Sequence, residues 1–174
     1  ICGIIYVLIS FVVFWQSRLY GDFLLHIIFL ILNIYGWYSW TGGSKDAKDK
    51  ASTELNVSTL TSQASIIQLA FSAIGILIFA QVLIYIPSMI EGVDAAALPY
   101  WDSTTSILSV TAMWLTTKKK IENWHYWFVI NILATGIYFY KELYFYSLLY
   151  FIYIFLAIAG YLAWKKSMNK SIAK

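Results

Sequence analysis

The chain has 174 residues, of which 60% are hydrophobic, 19% aromatic and only 12% charged, about half the roughly 25% charged share of an ordinary soluble domain. With a mean hydropathy of +0.69, this composition excludes a soluble globule and points to an all-α integral membrane protein. The net charge of +3 lies in loops and the tail, which argues against nucleic acid as a partner, and one cysteine (Cys2) with two histidines (His26 and His125) excludes a disulfide framework and a zinc cluster.

A helix needs about 20 apolar residues to cross a bilayer, and such runs fall at about 1–16, 22–41, 62–87, 98–117, 123–140 and 145–164. Six spans are expected, the first short. Transmembrane barrel strands would alternate apolar with polar residues over roughly 9–11 positions, and the run 66–86 does not alternate. The first run has no basic region ahead of it, so a cleavable signal peptide is not expected.

In the second run Asn33 lies about 11 residues in, roughly 16 Å deep at 1.5 Å per residue. Trp37 and Trp40, three apart, share a helix face. Asp22 and His26 are spaced to pair near the other end, but no nucleophile or metal motif accompanies them. Residues 42–61 (GGSKDAKDKASTELNVSTLT) are polar and of mixed charge, read as a solvated, flexible linker without chemistry. The 62–87 run follows and stops at Pro87. In the 98–117 run Asp102, Ser106, Ser109 and Met113 recur at i, i+4, i+7 and i+11, a polar stripe able to line a pathway; Asp102 equally fits an acid at a helix start. After Lys118, Lys119 and Lys120, the 123–140 run carries Trp124 and Trp127, again three apart, and Asn131 about 8 residues in, roughly 12 Å deep. The 145–164 run ends at Trp164, and 165–174 form a basic tail.

Polar side chains within hydrocarbon usually face a cavity or the bundle interior. For Asn33 and Asn131 the alternative is an interhelical hydrogen bond that aids packing. For Trp40, Trp124 and Trp164 it is the interfacial aromatic belt, and Trp164 is read only as a belt anchor. Trp37 and Trp127 lie a turn deeper, on the same helices as the two asparagines, so each helix offers an Asn about one turn from a Trp. That combination suits a flat polar ring.

Numbering the loops alternately gathers Lys45, Lys48, Lys50, Lys118, Lys119, Lys120, Lys165, Lys166, Lys170 and Lys174 on one side and leaves Arg18 and Lys141 on the other. Loops rich in Lys and Arg stay in the cytoplasm, so the 42–61 loop, the 118–120 loop and the C-terminus are expected there, with 88–97 outside. Sliding the chain by 124 superposes Leu19, Tyr20, Leu24, Leu25, Ile28, Leu32, Ile34, Gly36 and Trp40 on Leu143, Tyr144, Leu148, Leu149, Ile152, Leu156, Ile158, Gly160 and Trp164. The shared LY start, glycine and terminal tryptophan in one register indicate an internal duplication. Both copies end on one side, as parallel repeats do. Residues 1–41 then supply the last two helices of a first three-helix copy, 62–87 the connector and 98–164 the second copy, and a helix ahead of Ile1 is expected to complete the first.

No phosphate-binding GxxxxGK[ST] pattern, HExxH or GxSxG occurs, and neither an enzyme nor a cofactor is expected. The motifs NIYGWYSW at 33–40, YWDS at 100–103, LSVTAMWLTTKKKIENWHYW at 108–127 and the following Asn131 resemble the PnuC vitamin transporters, over essentially the whole chain from Ile1 to Trp164. The resemblance implies a bacterial inner-membrane protein with seven helices in a three-plus-one-plus-three arrangement similar to the SWEET sugar transporters, six of them present here, assembled as a homotrimer. It implies facilitated diffusion of a B-vitamin nucleoside-like compound, nicotinamide riboside or, in close relatives, thiamine, then retained by cytosolic phosphorylation. By the same resemblance Asn33, Trp37, Trp40, Asp102, Ser109, Asn123, Trp124, Trp127 and Asn131 match positions in the family's motifs. One departure is Tyr6 in IIYV, where the family often has an Asn in an INV-like stretch; an aromatic there reshapes the pocket and bears on the choice of vitamin. The expectation is therefore a uniporter, against two readings of other classes: a membrane-embedded enzyme, for which the sequence holds no convergent acid, base and nucleophile, and a non-transporting scaffold, in which the Asn and Trp residues only pack.

Overall fold

The computed structural model describes residues 20–43, 55–89 and 98–172, and residues 5, 7, 8 and 11 of the first run. The expected first span falls largely outside the described residues, although Ile5, Val7, Leu8 and Phe11 are helical and Val7 is buried. Five long helices follow: α1 (Tyr20–Tyr38, continued by a π turn, Ser39–Gly43), α2 (Ser62–Ser88), α3 (Pro99–Thr117), α4 (Asn123–Tyr140) and α5 (Tyr144–Ile172). They occupy the last five of the expected runs, and among the described residues there is no strand, only an isolated bridge between Ser58 and Lys120.

Local chemistry fixes the ends. Thr61 caps α2 by accepting a hydrogen bond from the Ala64 N–H at 3.2 Å. Pro87 lies in the last turn of α2, and Pro99 opens α3, where its missing N–H costs nothing. Both α3 and α4 end in a Schellman turn. In the first, the Lys119 N–H donates to the Thr116 carbonyl (3.0 Å) and the Lys120 N–H to the Leu115 carbonyl (2.9 Å). In the second, Glu142 N–H donates to Phe139 and Leu143 N–H to Tyr138. Lys119 (φ 48°) and Glu142 (φ 59°) occupy the left-handed position that glycine usually takes. Helix α5 runs on past Trp164 because nothing in KKSMNKSI breaks it, and Lys170 in its last turn complements the helix dipole.

Helix α3 packs against α1, α2 and α4, while α5 packs on α4. The interior is small and polar: Ser103, Thr111, Thr117, Asn123 and Asn131 are buried beside Ala112, Leu115, Ile130 and Ala134. The outside is apolar, with Ile66, Phe71, Leu77, Phe145 and Leu156 exposed. Helices α2 and α5 are long and apolar enough to cross a membrane, yet only 11% of each apolar window is buried. A soluble core helix would bury that surface, whereas in lipid small and polar residues take the helix interfaces. Ser72 on α2 hydrogen-bonds Thr111 on α3 at 3.1 Å. At Gly36 of α1 an added methyl would lie 3.1 Å from the Thr117 side chain, so the glycine sets how closely α1 approaches α3.

The linker expected over 42–61 differs at its far end. The Ser58 N–H donates to Lys119 (3.1 Å) and the Ile121 N–H returns to Ser58 (3.0 Å), while the Leu60 N–H donates to Glu122 Oε1 at 2.8 Å. These bonds dock residues 55–60 on the α3–α4 turn. Composition reports solvation but not a partner some sixty positions away.

Candidate substrate site

The ends of α1, α3 and α5 and the start of α4 converge at one end of the bundle, which carries Lys118, Lys119 and Lys120. Three indoles meet there. Trp164 lies edge-on to Trp40 (6.1 Å between centroids) and to Trp124 (5.4 Å), and the Trp40 Nε1–H donates to the Thr117 carbonyl at 3.1 Å. Trp164 is therefore part of this cluster and not solely a belt residue: the register that pairs it with Trp40 in sequence also brings the two together in space. A methyl on Gly160 would collide with the Trp124 ring, so the indole rests on bare α5 backbone.

The π turn at Ser39–Gly43 separates the first tryptophan pair. A π turn holds more residues than an α turn, which swings Trp40 toward α3 and α5 and leaves Trp37 54% exposed. The α4 pair sits on regular helix, with Trp124 and Trp127 both half-buried.

Polar groups at the start of α4 are not all satisfied. Asn123 is fully buried; its Nδ2 donates to the Lys120 carbonyl, while Asn123 Oδ1, Trp124 Nε1 and Glu122 Oε2 are buried with no partner among the described residues. Each such group costs about 1–3 kcal/mol unless a ligand or water meets it. Two turns into α4, Asn131 is 5% exposed, and its backbone carbonyl accepts from Thr135 Oγ1 at 2.7 Å. Asn33 is half-buried and turns its Nδ2 back onto the Phe29 carbonyl of its own helix at 2.9 Å. No hydrogen bond links the two asparagines.

The stripe on α3 divides. Ser109 is half-buried. Asp102, at the opposite end of the bundle, faces Lys141 at 3.6 Å with both side chains about one-third exposed, the surface pairing of a helix-starting acid. Near it an apolar groove of about 370 Å3 is lined by Leu98, Trp101, Ile132, Leu133, Gly136, Ile137 and Tyr140 and includes none of the expected site residues. His26 is buried against Phe29 at 5.4 Å; the Asp22 side chain, and with it the Asp22–His26 pairing, lies outside the described residues, as does Tyr6. The structure thus gathers Trp40, Asn123 and Trp124 at the lysine end, with Trp127 and Asn131 continuing inward along α4. Asp102 and Trp37 stand apart. Thr117, Gly160 and Lys119, which shape the cluster, carry no sequence signal of their own beyond Gly160's place in the repeat.

The profile of the nicotinamide mononucleotide transporter family matches residues 1–166. The nicotinamide riboside transporter PnuC of Escherichia coli (strain K12) is 31% identical over 183 residues, covering 97% of this chain and 76% of that protein. The protein of the same name from Neisseria mucosa is 24% identical over 175 residues, covering 97% of this chain and 64% of its own length. In structure, the chain is similar to the crystal structure of the vitamin B3 transporter PnuC, with a TM-score of 0.68 at 23% identity, covering 97% of this chain and 71% of that one. At that identity the likeness concerns the fold.

Proposed function

The chain belongs to the nicotinamide mononucleotide transporter family, and on that premise we propose that it carries nicotinamide riboside across the membrane by facilitated diffusion. The observation that carries this reading is the start of α4, where Asn123 Oδ1 and Trp124 Nε1 are buried without a partner among the described residues, with Trp127 and the buried Asn131 further along the same helix. An indole face attracts a pyridinium cation, and an asparagine offers both a donor and an acceptor to a carboxamide. Thiamine brings a thiazolium that the same rings attract but no carboxamide, so Asn131 favours the nicotinamide compound. Asn33, Trp37, Trp40, Ser109, Asn123 and Asp102 complete the proposed ligand-binding set, with Asp102 and Trp37 contributing least in the described geometry.

Transport is uniport: the one carboxylate of α3, Asp102, lies in its first turn, paired with Lys141 near the bundle end, whereas proton relays use chains of Asp, Glu or His within the membrane. Phosphorylation in the cytosol would retain the substrate. The architecture proposed is three plus one plus three parallel helices, with α2 as connector and α3 to α5 as the second copy. It forms a homotrimer in the bacterial inner membrane with the lysine end and C-terminus cytoplasmic. The meeting of Trp40 with its repeat mate Trp164 supports the duplication, because equivalent residues meet where a pseudo-two-fold axis passes.

Thermal unfolding of the purified protein with each B vitamin tests the assignment, since a ligand that binds only the folded state stabilises it. Nicotinamide riboside should raise the midpoint in a dose-dependent way and thiamine should raise it less. A rise with thiamine alone would transfer the assignment to thiamine, and no rise with any vitamin would favour a scaffold.

A further inference from the structure

Three consecutive lysines close the α3–α4 turn, and each ammonium has a different partner. Lys118 Nζ donates to the Tyr35 hydroxyl and lies 4.8 and 5.0 Å from the Tyr35 and Trp114 ring centroids, rings that stack on each other. Lys120 Nζ donates to Ser58 Oγ at 2.9 Å and to the Thr59 carbonyl at 3.2 Å. Lys119 differs from both. Among the described residues its ammonium has no hydrogen bond or ion pair, and it sits 5.0 Å from the centroid of the Trp40 ring, within cation–π range. The backbone there takes the left-handed conformation, φ 48°, at the Schellman position where glycine is the unstrained choice.

The covered ring is held in place. Trp40 Nε1–H is tied to the Thr117 carbonyl, and its ring meets Trp164, which meets Trp124. The aromatic surface at the lysine end thus already holds a cation that belongs to the chain. We propose that Lys119 is a tethered cation occupying the face of Trp40, and that an organic cation passing the lysine end of the bundle displaces it. The inference rests on the reading that a flat cation traverses the aromatic cluster. Two like charges cannot share one ring face without repulsion, so entry of the second requires departure of the first. A compact, strongly hydrated ammonium on a flexible four-carbon stem is suited to leave for water, whereas Lys118 and Lys120 are held by oxygen acceptors.

The test is a titration of the purified full chain with N-methylpyridinium, followed by quenching of tryptophan fluorescence, in the wild type, Lys119→Gly and Lys119→Arg. Glycine suits the left-handed position, so Lys119→Gly should unfold at a midpoint no lower than the wild type. Affinity for N-methylpyridinium should rise about two- to fivefold in Lys119→Gly, the scale of an exposed cation–π contact, and return toward wild type in Lys119→Arg. Neutral nicotinamide should bind all three alike. Equal N-methylpyridinium affinity in wild type and Lys119→Gly, the same change for nicotinamide, or no quenching in any variant would overturn the proposal. Because the probe is not a vitamin, the expected pattern in a chain that carries no vitamin would refute transport and leave the displacement standing. A flat pattern in a chain that does transport would refute the displacement alone.

Discussion

Asn131, 5% exposed on α4, carries a side-chain amide whose donor and acceptor a ligand's planar edge can complete. If a ligand completes it, Asn131→Leu removes that hydrogen bonding at similar volume and should weaken vitamin binding by about 1–3 kcal/mol, with the unfolding midpoint little changed. If Asn131 only packs, affinity stays and the change in stability is well under about 2 kcal/mol; parallel calorimetric binding and thermal unfolding separate the two. Gly160→Ala probes the neighbouring indole, since the methyl would run into Trp124. Overpacking of this kind costs typically 1–3 kcal/mol, so a midpoint lower by several degrees is expected together with a shift in tryptophan emission. The residue types proposed for this site were legible in the sequence, because an Asn deep in a span and paired Trp near its end are conspicuous in an apolar chain. What Lys119 and Gly160 do was not, since each acts through a ring on another helix, and neither spacing nor composition encodes that meeting.

Helix limits were legible because prolines, glycines and lysine runs interrupt hydrocarbon-length segments, and all five described helices start within a few residues of the expected boundaries. Two elements escaped for physical reasons. The π turn that parts Trp37 from Trp40 is set by how α1 meets α3 through Thr117, a tertiary contact. The docking of 55–60 depends on a carboxylate 62 positions from the N–H it accepts. Glu122→Ala should leave the Leu60 N–H without that partner and cost about 1 kcal/mol, at the low end for a half-exposed group. Glu122→Gln, whose side-chain oxygen still accepts, should restore most of the loss. Amide hydrogen exchange at Leu60 reads both, and unchanged protection in Glu122→Ala would mean that the backbone bonds of Ser58 hold the segment alone.

At the scale of the molecule, an apolar exterior surrounds an interior of serines, threonines and asparagines, the arrangement expected where lipid replaces water as the solvent. Charge sets the proposed orientation: numbering the loops alternately along the sequence assigns ten of the twelve basic residues to the side of Lys118, Lys119 and Lys120. In a Cys2→Ser background, Lys170→Cys should be protected from a membrane-impermeant thiol reagent in intact cells and react once the cells are opened. Labelling from outside would reverse the topology.

The central claim, that this bundle carries a vitamin cation, is tested most directly by uptake of radiolabelled nicotinamide riboside into proteoliposomes holding the purified chain. Saturable uptake is expected that equilibrates without an imposed ion gradient, is competed by unlabelled nicotinamide riboside more strongly than by thiamine, and is weakened in Asn131→Leu. Uptake no greater than in protein-free liposomes, with the protein folded and correctly inserted, would contradict the account.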